Sequence, residues 1–439
     1  MSPPSTLAEW LAYLETLHPK AIALGLDRVR SVGSRLDIAT NCPVLTVAGT
    51  NGKGSTCALL EHMLRADGYR VAMYTSPHLL RYNERVRIAG TEVSDAALCE
   101  AFAAVEAARA GTPLTYFEFG TLGALWLFAR QALDALILEV GLGGRLDAVN
   151  IVDHDVAIVT TIAIDHVDYL GPTREAIGRE KAGILRPDKP AICADRDPPA
   201  SLIAYAAAIG ATLLRLGRDF GYTAQTAQWD YWGPAGARHG LPYPALRGNY
   251  QLANASTALA AADVLRDRLP LSMGAVRAAL VGIELPGRFQ VLPGRPVTVL
   301  DVAHNVQAAH ALADNLGAMG FHPRTIAVFG ILADKDVDAV IAALLPRVDR
   351  WLVATLPPPR GATAAALRQR LQDAGAAPDA VREYADPAAA YRAAREDAAE
   401  ADRIIVFGSF LTVAAVLAMR ERTVTGGDLH DVSLPPSRA

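Results

Sequence analysis

The sequence predicts an α/β protein: a mostly parallel sheet domain with a phosphate-binding loop, followed by a second, smaller Rossmann-like α/β domain. Short apolar runs alternate with longer helical patterns, which is typical of parallel sheets covered by helices. A glycine-rich segment at residues 49–55 joins one apolar run to a helix. The chain of 439 residues is also too long for one ordinary core, so two domains are expected.

The first domain is predicted to alternate strands and helices after an opening amphipathic stretch that carries Trp10, Leu14 and Leu17 at helical spacing. Buried strands are predicted at residues 43–48, 70–74, 135–140, 156–162 and 190–194. Helices are predicted at residues 55–66, 94–109, 118–131 and 174–184, and again at 254–266 and 273–281. Residues 216–245 are rich in Gly, Pro, Tyr and Trp with alternating polarity, which indicates hairpins.

The second domain is predicted to begin near a segment dense in Pro and Gly, LPGRFQVLPGRP at 285–296, which suits a hinge. We therefore expect an ATP-binding domain at residues 1–292 and a C-terminal α/β domain at 293–439. Its strands, separated by alanine-rich helices, are predicted at residues 297–302, 325–330, 350–354 and 403–408. The tail from about residue 421 has no periodicity and is expected to be loose.

The composition excludes several classes of function. Hydrophobic residues make up 51% and charged residues 20% of the chain, which suits a globular protein with a sizeable core. The net charge is 42 minus 46, or −4, without a block of like charges, so no nucleic-acid partner is expected. The four cysteines lie far apart, and neither a signal peptide nor an apolar run of about 20 residues occurs. A cytoplasmic monomer without a membrane partner is the expectation.

The segment VAGTNGKGST carries the strongest functional signal. It places Gly49, Gly52 and Gly54 around Lys53, between an apolar strand and an amphipathic helix. In such a loop, backbone N–H groups converge on phosphate oxygens, the lysine neutralises phosphate charge, and the hydroxyl of Ser55 can reach magnesium. The common nucleotide-binding pattern has Lys directly before Ser or Thr, whereas a glycine intervenes here. This departure argues against ordinary GTPases and kinases.

Polar residues follow other predicted strands of the first domain, at the edge where parallel sheets collect ligands. Glu139 ends a buried strand, where a carboxylate needs a metal or a cation unless the following loop solvates it. The next strand is followed by Asp165, His166 and Asp168, and a neutral imidazole can ligate a divalent ion. Lys181, on the helix after that strand, is interpreted from the sequence alone as a solvated surface lysine.

The second domain repeats the pattern of polar residues after an apolar strand. Asp301 and His304 stand where the strand at 297–302 ends and a helix begins. Asn305 can cap that helix, and a capping and structural role for the whole cluster is the alternative to a binding role. Arg288, in the predicted hinge, suits a salt bridge or a phosphate clamp equally well.

Ten segments occur in an informative order along the chain. They are VAGTNGKGST, YTSPHLLRYNERVRI, LTYFEFGTLGALWLF, LEVGLGGRLDAVNIV, AIDHVDYLG, REKAGI, LPGRF, DVAHN, ILADKD and FGSF. Together they resemble the dihydrofolate synthase/folylpolyglutamate synthase branch of the Mur ligase family, over residues 25 to about 410. The resemblance implies an ADP-forming carboxylate–amine ligase that adds L-glutamate to dihydropteroate and to reduced folates, with ATP and two Mg²⁺ ions as cofactors.

The resemblance also implies roles for individual residues. The ATP phosphates would be bound by the loop residues Gly49, Thr50, Asn51, Gly52, Lys53, Gly54 and Ser55. The nucleotide would be bound from the far side of a cleft by Asn254, Arg288 and Asp301. Magnesium would be bound by Ser76, Glu139 and His166, by a carbamate on Lys181, and by Ser55 as a further candidate. The pterin substrate would be bound by Ala21, Ile22, Ala23 and Leu24, by Thr115, Tyr116, Phe117 and Glu118, and by Leu146, Asp147 and Ala148.

The chemistry that the family resemblance implies is the activation of a carboxylate. The γ-phosphate passes to the substrate carboxylate, and the glutamate amine attacks the resulting acyl phosphate. His304 could contact the transferred phosphate or the glutamate, and Lys335 could contact the glutamate. Three alternatives stay open: another Mur-family ligase acting on peptidoglycan precursors, a P-loop nucleotide hydrolase working as a switch, and a structural protein with a vestigial nucleotide site.

Overall fold

The computed structural model describes residues 4–20 and 22–425 of the chain. The described residues form two compact units. The first contains the residues up to 245 together with 251–283, and the second contains 246–250 together with the residues from 284 onward. The units therefore divide before the boundary at 292/293 that the sequence suggested. No described helix combines the length and apolar character needed to cross a bilayer.

The first unit is built on an eight-stranded sheet with the strand order β4-β3-β2-β5-β1-β6-β7-β8. Its strands are β1 (Val44–Ala48), β2 (Val71–Tyr74), β3 (Val86–Ile88), β4 (Thr91–Glu92), β5 (Ala135–Glu139), β6 (Val156–Val159), β7 (Pro190–Cys193) and β8 (Thr212–Arg215). Six neighbouring strands are parallel: β2, β5, β1, β6, β7 and β8. At one edge of the sheet β3 pairs antiparallel with β2, and β4 pairs antiparallel with β3. The predicted class of mostly parallel α/β structure is confirmed.

Helices cover this sheet and surround its core. They are α1 (Leu7–Thr16), α2 (Asp27–Gly33), α3 (Lys53–Ala66), α4 (Asp95–Arg109), α5 (Tyr116–Phe128), α6 (Val167–Leu170), α7 (Arg174–Ala182), α8 (Ala200–Ala208), α9 (Tyr250–Asp263) and α10 (Met273–Gly282). The strands β1 and β5 are buried at every position, as expected for strands covered on both faces. The aromatic rings of Phe102, Phe119 and Phe128 belong to the same core.

The predicted hairpin region forms a small antiparallel sheet of three strands. They are β9 (Gly221–Ala224), β10 (Trp229–Gly233) and β11 (Gly236–Leu241). Trp229, Tyr231 and Leu241 are buried side chains of this sheet, and the hydroxyl of Tyr231 donates a hydrogen bond to the Asp263 carboxylate of α9 at 2.7 Å. This bond ties the small sheet to a helix of the first unit.

The second unit contains a six-stranded sheet with the order β12-β13-β17-β14-β15-β16. Its strands are β12 (Gln290–Leu292), β13 (Val297–Leu300), β14 (Thr325–Phe329), β15 (Arg350–Ala354), β16 (Val381–Tyr384) and β17 (Arg403–Phe407). Its helices are α11 (Val306–Ala318), α12 (Val337–Leu344), α13 (Ala364–Asp373), α14 (Pro387–Asp397) and α15 (Phe410–Thr425). The rings of Phe329 and Phe407 stack at 4.8 Å in its core.

Three expectations about the second unit differ from the structure. The segment 285–296 is not only a hinge, because β12 lies within it and pairs antiparallel with β13. The strand β16 was not predicted, since Val381 is its one buried residue and the others are exposed or half-buried. The helix α15 runs to Thr425 and so extends into the tail that was predicted to begin at about residue 421; the rest of that tail lies outside the described residues.

Candidate functional site

The candidate site of the first unit lies at the carboxyl edge of its parallel strands. The strands β2, β5, β1 and β6 are parallel neighbours in that order. The segments that follow them therefore start at the same edge of the sheet. They carry the phosphate loop after β1, Ser76 after β2, Glu139 at the end of β5, and the segment 160–166 after β6.

The phosphate loop connects β1 to α3, which begins at Lys53. A Cβ atom on Gly49 would lie 1.7 Å from the Thr160 hydroxyl oxygen, and both Gly49 and Gly52 have positive φ angles. The ammonium of Lys53 donates to the carbonyl oxygens of Gly49 at 3.0 Å and Thr50 at 3.2 Å. The lysine charge is thereby held over the loop, where phosphate oxygens would be neutralised.

Two further predicted nucleotide ligands lie beside this loop in the first turn of α3. Gly54 follows Lys53 there, and the buried Ser55 comes next. Asn254 of α9 lies against the loop, since its side-chain oxygen would be 2.7 Å from a Cβ on Gly52. Asn254 thus belongs to the same unit as the loop, and the expectation that it contacts the nucleotide from a far side is wrong.

The segment after β6 holds the phosphate loop through both backbone and side-chain bonds. Thr50 N–H donates to the carbonyl of Thr161 at 2.6 Å. The Thr161 hydroxyl accepts from Asn51 N–H at 3.2 Å and donates to the Asn51 carbonyl at 3.1 Å. The Thr50 hydroxyl bonds to both the N–H and the carbonyl of Ala163 at 3.1 Å. Sequence reasoning missed Thr161, for which the only signal was a pair of threonines between the strand and AIDH.

Ser76 and Glu139 lie next to each other although 63 residues separate them. The Ser76 N–H donates to the Glu139 carboxylate at 3.1 Å, and Glu139 is only 4% exposed. The alternative of a solvated loop carboxylate is therefore wrong. A buried carboxylate and the hydroxyl oxygen carried by a neighbouring serine residue are ligands of the kind that Mg²⁺ prefers.

Lys181 is buried on α7, with 2% of its surface exposed. The interpretation from the sequence alone, a solvated surface lysine, is therefore wrong. Burial lowers the pKa of Lys181 to about 7, because desolvation disfavours the ammonium, and the positive charge of Lys53 lowers it further. The carboxylates of Asp165 and Asp147 act in the opposite direction. The Arg145 N–H donates to the Glu180 carbonyl at 2.8 Å, which ties the loop after β5 to this helix.

The segment after β6 ends in a short helix, α6, and His166 precedes that helix. His166 has a left-handed backbone with a φ of 52°, and its N–H donates to the Asp165 carboxylate at 2.9 Å. Asp168 is exposed, whereas Asp165 is close enough to Lys181 to influence its charge. Within residues 4–20 and 22–425, no group of three or more His, Cys, Asp or Glu side chains is arranged to hold a metal ion.

The segments predicted to bind a pterin meet in the structure, except that Ala21 lies outside the described residues. The Arg28 guanidinium donates to the Ala23 carbonyl at 2.6 Å and to the Glu118 carboxylate at 2.8 Å. The Gly25 N–H donates to the Leu146 carbonyl at 3.3 Å. Residues Ile22–Leu24, Thr115–Glu118 and Leu146–Ala148 are thereby brought together. Sequence reasoning missed Arg28, which lies in the segment GLDRV directly after the predicted pterin residues.

Within these segments, the predicted acidic residues bond to the protein's own groups. Asp147 accepts the N–H groups of Leu142 at 2.8 Å and Val149 at 3.0 Å, and so starts the 3₁₀ helix Ala148–Ile151. Burial raises the pKa of Asp147 to about 7, since these N–H donors only partly offset desolvation. Glu118 and Thr115 form a capping box that begins α5.

Aromatic side chains line the neighbourhood of the same segments. The Phe117 ring lies against Gly141, in the loop after β5, and 5.9 Å from the Tyr74 ring. The Tyr116 ring contacts the buried guanidinium of Arg85, 5.6 Å from its centroid. The Nε of Arg85 donates to Nδ1 of His78 at 2.8 Å. Burial and the arginine charge lower the pKa of His78 to about 3, so the imidazole is a neutral acceptor. His78 and Arg85 lie in the motif YTSPHLLRYNERVRI, but neither was predicted as a site residue.

The second unit contains its own cluster after β13. Asp301 is buried and accepts the N–H groups of Phe289 at 2.9 Å and Ala303 at 2.8 Å. Burial raises its pKa to about 6, with the nearby Arg288 acting in the opposite direction. The Arg288 guanidinium lies 4.9 Å from the ring centroid of Phe410, in the FGSF segment.

His304 and Asn305 complete this cluster, and Asn305 has the predicted capping role. Its side chain accepts the Ala308 N–H at 3.0 Å and starts α11. Nδ1 of His304 bonds to the Val302 carbonyl at 2.8 Å, and its ring lies 6.2 Å from that of Phe410. Lys335 lies in the loop between β14 and α12, where its N–H donates to the Leu332 carbonyl at 3.2 Å.

Both units match family models. Residues 47–262 match the model described as Mur ligase middle domain, and residues 287–410 match the model described as Mur ligase, glutamate ligase domain. A curated relative, the dihydrofolate synthase/folylpolyglutamate synthase of Escherichia coli (strain K12), is 47% identical over 424 residues, which cover 96% of this chain and 97% of that protein.

Solved structures of related proteins agree with these matches. "E.coli FolC in complex with DHPP and ADP" is 46% identical with a TM-score of 0.91, covering 97% of this chain and 100% of that one. A bifunctional folylpolyglutamate synthase/dihydrofolate synthase with Mn, AMPPNP and L-glutamate bound is 48% identical with a TM-score of 0.88, covering 96% and 100% respectively.

Proposed function

This chain belongs to the dihydrofolate synthase/folylpolyglutamate synthase group of the Mur ligase family, and we propose that it joins L-glutamate to dihydropteroate and to reduced folates. The reaction uses ATP and releases ADP and phosphate. The observation that carries the proposal is the convergence of three features at one sheet edge: Lys53 over the phosphate loop, the Ser76–Glu139 pair and the buried Lys181.

The phosphate loop supports the first chemical step. An oxygen of the acceptor carboxylate attacks the γ-phosphorus, the bond to the β-phosphate oxygen breaks, and an acyl phosphate and ADP result. Negative charge develops on the transferred phosphoryl oxygens, where the Lys53 ammonium stabilises it. Thr50, Asn51, Gly52 and Asn254 belong to the same proposed nucleotide site. In the second unit, Arg288 and Asp301 are proposed to bind the nucleotide as well.

The second step forms the amide. The neutral amine of glutamate attacks the acyl carbon, a tetrahedral intermediate forms, and phosphate leaves while the nitrogen loses a proton. We assign His304 and Lys335 to the neighbourhood of the phosphate or the glutamate, without a proton-transfer role. His304 suits a contact role because its Nδ1 is held by the Val302 carbonyl, which fixes the ring orientation.

The donor set of the first unit fits divalent cations. Glu139 provides a buried carboxylate and Ser76 a hydroxyl, with His166 and Ser55 as further proposed ligands. Mg²⁺ is commonly bound by one or two carboxylates together with substrate phosphates and waters, and such a set needs few protein carboxylates. Two bound ions would neutralise the charge of the phosphates during transfer.

We propose a carbamate on Lys181 as the remaining ligand. A buried amine with a pKa of about 7 is neutral in about half of the molecules at pH 7, and a neutral amine can add carbon dioxide. The product is an anion, so the repulsion between Lys181 and Lys53 becomes an attraction. Enrichment with ¹³C-bicarbonate should give a carbamate carbon resonance in the wild-type protein. The resonance should be absent from Lys181→Met and retained in Lys189→Met, whose side chain is 45% exposed.

The pterin acceptor is proposed to bind at the three segments that meet beside Arg28. Residues Ile22–Leu24, Thr115–Glu118 and Leu146–Ala148 would contact it mainly through backbone groups and the rings of Tyr116 and Phe117. The carboxylates of Glu118 and Asp147 are engaged by protein N–H groups, which supports a structural role for them within the site.

One turnover assay tests the overall function. ADP release is measured with ATP, magnesium, glutamate and either dihydropteroate or tetrahydrofolate, and again with each component omitted. ADP formation that needs both glutamate and a pterin supports the proposal. ADP formation that needs neither indicates a nucleotide hydrolase, and activity only with peptidoglycan precursors indicates another Mur-family ligase. Lys53→Met should lose the activity, and Lys189→Met should retain it.

An isotope experiment tests the acyl phosphate. Oxygen-18 in the acceptor carboxylate should appear in the released phosphate, because that oxygen bridges to phosphorus in the intermediate. Phosphate without the label would exclude this route. We further propose that the protein acts as a cytoplasmic monomer; the four free cysteines support reducing surroundings, and sedimentation equilibrium measures the mass.

A further inference from the structure

The pterin segment Ile22–Leu24 has no polar side chain that could fix its position. Its three residues are apolar and half-buried, and they lie between α1 and α2 rather than inside a helix or strand. Any hydrogen bonds that fix the segment must therefore be made by its backbone groups. Two hydrogen bonds provide such anchors: Gly25 N–H to the Leu146 carbonyl at 3.3 Å, and Arg28 Nη2 to the Ala23 carbonyl at 2.6 Å.

Arg28 reaches the second pterin segment at the same time. Its Nη2 lies 2.8 Å from one carboxylate oxygen of Glu118, and its Nε lies 3.4 Å from the other. The residues are 90 positions apart in the chain. A planar guanidinium can serve the carbonyl and the carboxylate together, because its donors point in fixed directions within one plane.

Glu118 is itself rigidly held at the start of α5. Its carboxylate accepts the Thr115 N–H at 2.7 Å, and its own N–H donates to the Thr115 hydroxyl at 3.2 Å. The Glu118 side chain is 5% exposed, whereas that of Arg28 is 29% exposed. The carboxylate therefore has a fixed position, and Arg28 holds the segment that contains Ala23 relative to it.

We propose that Arg28 is a positioning residue for the acceptor substrate, which sets Ile22–Leu24 against the start of α5 so that both segments face the pterin together. This inference rests on the proposed function for the identity of the ligand. It adds a residue outside the three substrate-binding segments and gives the Glu118 carboxylate the role of anchoring the arginine. The phosphate loop has no part in this network.

Steady-state kinetics test the inference. Arg28→Gln should raise the KM for dihydropteroate by about tenfold or more, since hydrogen bonds of charged groups contribute that much. The kcat should change by less than about threefold, and the KM for ATP should stay unchanged, because the network does not reach the phosphate loop. Arg28→Lys should give an intermediate KM, because an ammonium lacks the fork that spans both acceptors. Arg30→Gln, an exposed arginine on the same helix, is the control.

Amide hydrogen exchange provides a readout that needs no substrate. In Arg28→Gln, exchange of the amides at 22–25 should accelerate, while exchange across the phosphate loop at 49–56 should match the wild type. Unchanged exchange at 22–25, or an equal rise in KM for dihydropteroate and ATP, would overturn the inference. If the wild type does not use dihydropteroate while Arg28→Gln still loosens 22–25, the proposed substrate is wrong and the positioning role stands.

Discussion

Replacing the buried Lys181 by Met is predicted to stabilise the protein and abolish its activity. The two side chains have similar length, so the packing on α7 should change little. The ammonium, by contrast, is disfavoured in its buried position beside the positive charge of Lys53. A methionine removes that penalty, and it also removes the amine that we propose to carry a carbamate.

The size of the stability gain follows from the pKa of Lys181, which falls from 10.5 to about 7 in the folded protein. In the unfolded chain the lysine keeps its proton up to the higher value. Between these pKa values the unfolded state binds more protons, so the stability of the wild type rises with pH. The penalty relative to a neutral side chain is about 4 kcal/mol at pH 7 and about 2 kcal/mol at pH 9.

Urea denaturation at pH 7 and pH 9 in buffer free of carbon dioxide measures this penalty. Lys181→Met should be more stable than the wild type at pH 7, and the difference should roughly halve at pH 9. Lys189→Met, which removes a lysine that is 45% exposed, should show no comparable gain. Bicarbonate should then stabilise the wild type and leave Lys181→Met unchanged, because only the wild type can form a carbamate there.

Two outcomes would contradict the predicted stability gain. If Lys181→Met were no more stable than the wild type at pH 7, the buried amine would not carry the predicted penalty. If the difference in stability did not depend on pH, its source would be packing rather than the ionisation of Lys181. Full ligase activity of Lys181→Met would remove the carbamate from the proposed site while leaving the stability argument intact.

Three further predictions concern other parts of the first unit. Gly49→Ala should prevent ATP binding, measured by calorimetry, because its Cβ would lie 1.7 Å from the Thr160 hydroxyl oxygen; normal binding would contradict this. Thr161→Val should raise the KM for ATP about tenfold, because it removes the hydroxyl that bonds to both the N–H and the carbonyl of Asn51. Thr161→Ser keeps a hydroxyl and should match the wild type. His154 is buried, its ring nitrogens have no hydrogen-bond partner among the described residues, and burial lowers its pKa to about 4. The imidazole binds a proton near pH 6.5 in the unfolded chain but only near pH 4 in the folded protein, so acidification to pH 5 should lower the stability of the wild type by about 2 kcal/mol. The variant His154→Leu should not lose this stability. Equal acid sensitivity of both proteins in urea denaturation would contradict this.

Local patterns in the sequence were enough to predict most strands of the two large sheets. The buried strands β1, β5 and β17 were recognised because apolar residues follow one another without interruption, as they do in strands covered on both faces. The strand β16 was missed because a charged edge strand has no such run, and its pairing with β15 depends on the rest of the sheet.

The phosphate loop could likewise be predicted from a few consecutive residues, because its glycines, its lysine and the start of the next helix all lie within one short segment. Bonds between distant segments were not readable in this way. Arg28 and Glu118 are 90 positions apart, and Asn51 and Thr161 are 110 apart. The residue types do not predict such pairs, because arginine, glutamate and threonine are all mostly found exposed on protein surfaces.

Lys181 shows most clearly what each level decides. The sequence places this lysine on a helix that follows a parallel strand, where a lysine is expected to be a solvated surface residue. In the folded chain the helix instead packs this side chain inward, near Lys53 and the carboxylates of Asp147 and Asp165, which no local pattern reveals. The charge of a buried group depends on all of its neighbours at once, and folding brings Lys181 and these three neighbours together from four separate segments of the chain.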